Sequence, residues 1–143
     1  MRDDKIRHLE MIEAVIARMA QNSFAYKGWA ITLVAAILAI AASQGMDYRY
    51  VSVGLLPAVA FWGLDGYYLR QERLFRRVYD ATRRASLSDW EKDPFGMDTS
   101  PHTGKVGGWL KVCGSKGVAG LYLPLVAIVV VASLLRSCLP ASP

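Results

Sequence analysis

Asp65 is the only charged residue in residues 50–69, and an ionisable side chain within an apolar run of that length is costly unless it is paired or helps to move ions. It lies five residues before Arg70, about 7 Å along a helix, so its carboxylate would sit just inside the boundary that the arginine marks. Two chemistries are open to it. One is a buried polar clamp between helices: in the adjacent antiparallel segment Lys27 marks the boundary and Thr32 lies at the same depth as Asp65, so a snorkelling Lys27 or the Thr32 hydroxyl could satisfy the carboxylate. The other is a proton or cation site. A relay needs a chain of polar groups, and the apolar runs offer mainly Thr32, Ser43, Gln44, Ser52, Tyr122 and Ser133. The clamp is therefore the favoured reading, and Gly63 and Gly66 beside Asp65 would let another backbone approach closely.

A second constellation is cationic. Arg70, Arg73, Arg76, Arg77, Arg83 and Arg84 follow the apolar run, with Glu72 and Asp80 the acids nearby. Such a run can be an orientation signal on a solvated face, or a surface for anionic lipid headgroups at about 1 kcal/mol per basic residue. The net charge of +5 also admits nucleic acid, but no recognition module is present and lipid is the nearer polyanion, so no nucleic acid is expected. His8 and His102 lack metal-ligand spacing, and Ser, Cys and His form no nucleophilic motif; both histidines read as surface residues. No catalytic residue, metal or cofactor is implied. Cys113 and Cys138 fall on opposite sides of a core about 30 Å thick and read as free thiols, although Cys138 could pair with its copy in a neighbouring subunit.

The elements that must position these groups follow from charge spacing. Residues 28–46 and 117–135 carry no charge, and each approaches the roughly 20 residues of a spanning helix. With 50–69 they make three spans in an all-α integral membrane protein. Lys and Arg settle the orientation, since short loops rich in them stay cytosolic. Five lie in residues 1–27 (Arg2, Lys5, Arg7, Arg18 and Lys27) and ten in 70–116, against Arg49 and Arg136 elsewhere. Residues 1–27 are thus a cytosolic amphipathic helix, 47–49 an external turn near Asp47, 70–116 a basic cytosolic helix and loop, and 136–143 an external tail. A cleaved leader is the competing account of the N-terminus, but acids at Asp3, Asp4, Glu10 and Glu13 and the length of the apolar core favour a retained helix.

Within that frame, Leu9, Ile12, Ile16 and Met19 recur at helical spacing, and Leu74, Phe75, Val78 and Tyr79 form a second apolar stripe. Each needs cover, from the other or from a neighbouring subunit, and oligomerisation is expected. Pro57 should kink the second span by leaving the Val53 carbonyl without its donor, and Pro124 should do the same to Gly120. Tyr122 reads as a headgroup-level anchor. Trp90, Phe95 and Met97 are large apolar residues in a polar loop, and they suggest docking on the cytosolic helices or on a neighbouring subunit.

Asn22-Ser23-Phe24 with Lys27-Gly28-Trp29, then Trp62, Leu64, Asp65, Tyr67, Leu69, Glu72, Arg73, Arg76 and Tyr79 at their spacing, resembles the RipA family of small octameric bacterial inner-membrane proteins. Phe95, Met97, Thr99, Ser115 and Lys116 extend the likeness. The resemblance implies a homo-octamer in a bacterial cytoplasmic membrane, with no established catalytic activity. The function expected is a non-enzymatic homo-oligomeric scaffold that organises lipid or recruits other proteins. The alternative is an ion or small-solute channel or transporter with Asp65 as its intramembrane site.

Overall fold

A computed structural model describes residues 2–43 and 48–138. The described chain is all-helical: α1 (Arg2–Ser43), α2 (Tyr48–Ser52), α3 (Leu55–Arg84), α4 (Leu87–Trp90), a 3-10 helix (Ser100–Lys105), α5 (Trp109–Cys113) and α6 (Lys116–Cys138). The expectations for the turn at Asp47, for the side chain of Cys138 and for the tail beyond it lie outside the described residues.

Nothing between Gln21 and Trp29 stops a helix except Gly28, whose cost of roughly 1 kcal/mol is small beside the packing on either side. The amphipathic segment and the first apolar segment accordingly form one helix of 42 residues. Two helices, α1 and α6, are long and apolar enough to cross a membrane. Only 17% of the most apolar window of α1 and 22% of that of α6 is buried. The core helix of a water-soluble domain would be covered instead, whereas here Ile31, Leu33, Ile40, Leu123, Ile128 and Leu134 all face outward.

The expected second span, residues 50–69, is not one helix. Val53 and Gly54 form a turn between α2 and α3, with Gly54 N–H donating to the Val51 carbonyl at 3.1 Å. Pro57 does not kink a helix, because it lies in the first turn of α3, where its missing N–H would have had no acceptor. The Val53 carbonyl is not orphaned either, since it accepts from Leu56 N–H at 3.0 Å. From Leu55 to Leu69 α3 is about 22 Å long, so a crossing on this segment also needs α2. A residue larger than glycine would be tight at position 54, where a Cβ would lie 3.3 Å from the Val51 carbonyl and 3.5 Å from Val129.

Helices α1, α3 and α6 pack side by side, with α3 antiparallel to the other two. Ala30 meets Val118 and Tyr122, flanked by Phe61 and Trp62; further along, Val34 meets Ala58 and Val129. Alanine at two of these crossings lets the helices approach closely. Tyr122 is not a headgroup anchor. It is fully buried and stacks on Trp62 with ring centroids 6.0 Å apart and planes 3° from parallel.

On the polar side the α1 and α3 stripes cover each other in one chain: Ile12, Leu74 and Val78 are all buried. The Tyr79 hydroxyl hydrogen-bonds Glu13 across the same seam, and that bond holds its pKa above the ordinary tyrosine value. The two faces therefore do not require a second subunit. Trp90 and Phe95 likewise dock within the chain, and Met97 is half-buried. His8, expected at the surface, is 1% exposed. Its Nδ1 accepts from the Trp90 indole at 2.9 Å, its Nε2 lies 3.1 Å from the Gly96 carbonyl, and Phe95 packs on the ring at 5.5 Å. Because an indole can only donate and a carbonyl can only accept, Nε2 carries the proton in this arrangement. Phe95 takes a left-handed φ of 61°, which costs an L-residue about 1–2 kcal/mol. Its ring contacts with His8 and Trp90, at about 0.5–1.5 kcal/mol each, offset that strain.

Candidate functional site

Asp65 is fully buried on α3, and α1 supplies what it needs from one face. Ser23 and Lys27 are four residues apart, so their side chains lie one turn apart on the same face. Ser23 Oγ donates to Asp65 Oδ1. The Lys27 ammonium lies 2.8 Å from Oδ1, 2.6 Å from Oδ2 and 2.9 Å from Ser23 Oγ. Three side chains thus form a closed ring of charge-assisted bonds. Oδ2 meets the ammonium off the hydrogen-bonding direction, as an ion pair.

Of the residues expected at this site, the structure brings Lys27 to Asp65 and leaves Thr32 away. Thr32 Oγ1 donates to the Gly28 carbonyl of its own helix at 2.9 Å. Counting from the boundary charges placed Asp65 level with Thr32, but α3 is shifted so that Asp65 lies level with residues 23–27. Ser23 was missed as a site residue. Its spacing from Lys27 was the available signal, because a hydroxyl four residues from a lysine shares whatever carboxylate the lysine reaches.

The far side of Asp65 is closed by α5. The Trp62 indole donates to the Cys113 carbonyl at 3.0 Å, the Trp109 indole donates to the Gly63 carbonyl at 3.0 Å, and Arg70 Nε donates to the Gly107 carbonyl at 3.3 Å. The close approach that the two glycines allow is that of α5: a Cβ on Gly66 would lie 2.2 Å from Cys113 Sγ. Burial raises the pKa of that thiol and the Asp65 carboxylate adds to the effect, so Cys113 stays a neutral packing residue at pH 7.

Gly66→Ala should lower stability by about 1–2 kcal/mol, since overpacking outweighs the gain in helix propensity. Adding Cys113→Ala should restore it to the level of Cys113→Ala alone. The check is the thermal unfolding midpoint of the purified protein in detergent. A neutral Gly66→Ala would mean that the thiol simply rotates away.

The arginines do not act as one surface. Arg70 is tied to Gly107, Arg76 to Glu72 at 2.7 Å, and Arg83 to Asp80 at 3.8 Å. Along α3, Arg73 lies about 5 Å, Arg77 about 10 Å and Arg84 about 21 Å beyond Arg70. With a Debye length of about 8 Å in physiological salt, Arg83 and Arg84 are screened from any anion bound at Arg70. Arg73, Arg77 and Arg84 instead share a groove with Lys105 and His102 of the 3-10 helix.

Among the described residues, fold and site together define an all-helical protein with two helices long and apolar enough to cross a membrane and a buried Ser–Lys–Asp joint between α1 and α3. Comparison with protein-family models, with curated proteins and with solved structures gives no match.

Proposed function

We propose that this chain is a non-enzymatic scaffold of a bacterial cytoplasmic membrane, assembled as a homo-oligomer and organising anionic lipid around itself. In this reading the N-terminus is cytosolic and three crossings follow: α1, then α2 with the first half of α3, then α6, whose C-terminus is external. The oligomer, an octamer by resemblance, joins subunits through apolar surface that one chain leaves open at the inner boundary, where Phe24 is 79% and Leu110 76% exposed. Arg70 and Arg73 meet the headgroups. The observation that carries the structural over the transport role is the closure of Asp65. Its charge is matched by Lys27, its oxygens are engaged by α1, and the residue exposes none of its surface. A transport carboxylate must exchange its ligand with water, whereas this one is already occupied.

Liposomes carrying the purified wild-type oligomer should pass no ions, and Asp65→Asn should shift the oligomer toward smaller species in light scattering. Ion flux through wild type, lost in Asp65→Asn with the oligomer intact, would replace the scaffold by a transporter.

A further inference from the structure

Where the arginine helix passes the 3-10 helix, two adjoining hollows of about 450 and 230 Å³ share Arg77, Asp80 and Lys105. Arg73 and Arg76 line the end nearer the apolar helices, and Arg84 and His102 the other. The cations at 73, 77 and 84 fall at intervals of four and seven, which puts them on one face of α3. Among the described residues Arg73, Arg77, Arg84 and Lys105 have no carboxylate within ion-pair distance. The acid in the lining, Asp80, faces Arg83. His102 adds a buried Nδ1 with no hydrogen-bond partner. All four are solvent-exposed, so water and salt screen them from one another, but their convergence on one concave wall still makes a positive potential that favours an anion.

The 3-10 helix is braced by its own local bonds, and the Arg70 bond to the Gly107 carbonyl ties the chain that follows it to α3. The Ser100 side chain and then its N–H, which donates to the Asp98 carboxylate at 2.8 Å, depress the pKa of Asp98, and the Thr103 hydroxyl donates to the Ser100 carbonyl at 2.9 Å. Lys105 is thereby presented opposite α3 from a short, braced segment.

We propose that the groove between α3 and the 3-10 helix binds a phosphate-bearing ligand, with Arg73, Arg77, Arg84 and Lys105 as its cationic contacts. Guanidinium groups suit phosphate because their paired N–H donors match two of its oxygens. The groove is long enough for two phosphates, one near Arg73 and one near Arg84. A lipid headgroup would reach it from the Arg73 end and a free phosphate compound from the Arg84 end. Only that choice of source rests on the membrane placement of α3; the site itself does not.

The test uses the full chain in nanodiscs of phosphatidylcholine alone, titrated calorimetrically with inorganic pyrophosphate. Saturable binding is expected, weakened about tenfold or more in Arg77→Gln/Lys105→Gln, given roughly 1 kcal/mol per cation removed. Lys92→Gln, a cation outside the groove, should leave it unchanged, and circular dichroism should be the same in all three. Repeating the titration in phosphatidylglycerol discs separates the sources: loss of pyrophosphate binding there identifies a headgroup as the occupant, and retention identifies a free phosphate compound. Absence of saturable binding in neutral discs, or an equal loss in Lys92→Gln, would overturn the site. Either result leaves the scaffold standing, because ion flux and oligomer size are read separately.

Discussion

Lys27→Met is expected to lower stability by about 3 kcal/mol, the low end of the cost of stranding one member of a buried ion pair. The low end applies because the Lys27 side chain keeps 22% of its surface exposed, so water can reach Asp65 once the ammonium is gone. Asp65 itself is fully buried, and Ser23 alone cannot neutralise it. A loss of that size is about a hundredfold in the folded-to-unfolded ratio.

The second half of the experiment is the informative one. Lys27→Met combined with Asp65→Leu removes both charges and should recover most of the loss, since an apolar pair of similar volume often serves as well as a buried ion pair. Unfolding midpoints in detergent for both singles and the double close the cycle. If the double is as unstable as Lys27→Met, the charges are not paired in the way the distances indicate. Recovery of stability with unchanged oligomer size would further show that the pair is a joint and carries no separate task.

Trp90→Ala should cost about 3–5 kcal/mol, the usual range for removing a buried large aromatic. The effect should be confined to the half of the molecule built from the start of α1, the end of α3 and the loop 91–99. His8→Ala should cost about 2–3 kcal/mol, as it leaves the Trp90 indole without an acceptor and strips the ring that Phe95 packs on. Because both residues belong to one network, their combined cost should fall well short of the sum. Limited proteolysis gives the readout: each variant should be cut in 91–99 far faster than wild type while α6 stays protected. Strict additivity, or cleavage spread evenly along the chain, would mean that the His8–Trp90 contact does not hold the loop.

The all-helical character was legible in the sequence. Charge-free runs of nineteen residues and apolar spacings of three and four admit few alternatives, because the period of a helix is imposed by its own backbone. Asp65 stood out for the same kind of reason, as a charge where its neighbours leave none, and Lys27 could be named because it is the cation closest to the boundary. Those inferences need only composition and distance along one helix.

The relative sliding of helices could not be read in that way. Asp65 was set against Thr32 by counting inward from two charges, yet the register of α1 against α3 is chosen by how Ala30, Val34 and Ala58 fit together with α6. A shift of about two turns hands the carboxylate to Ser23 and Lys27. Pro57 was equally ambiguous, since proline in mid-helix breaks a hydrogen bond and in the first turn breaks none. Only the turn at Val53 and Gly54 decides which applies.

His8 carries the same lesson. One imidazole eighty-two residues from its tryptophan leaves no periodic trace, and its burial comes from a loop that folds back over α1. The chain by itself determined which segments are helical and which face of each is apolar, because those are local properties. Tertiary structure decided which faces meet, which cation neutralises Asp65 and which arginines remain unpaired. Each of these depends on side-chain volumes summed across helices that the sequence keeps far apart.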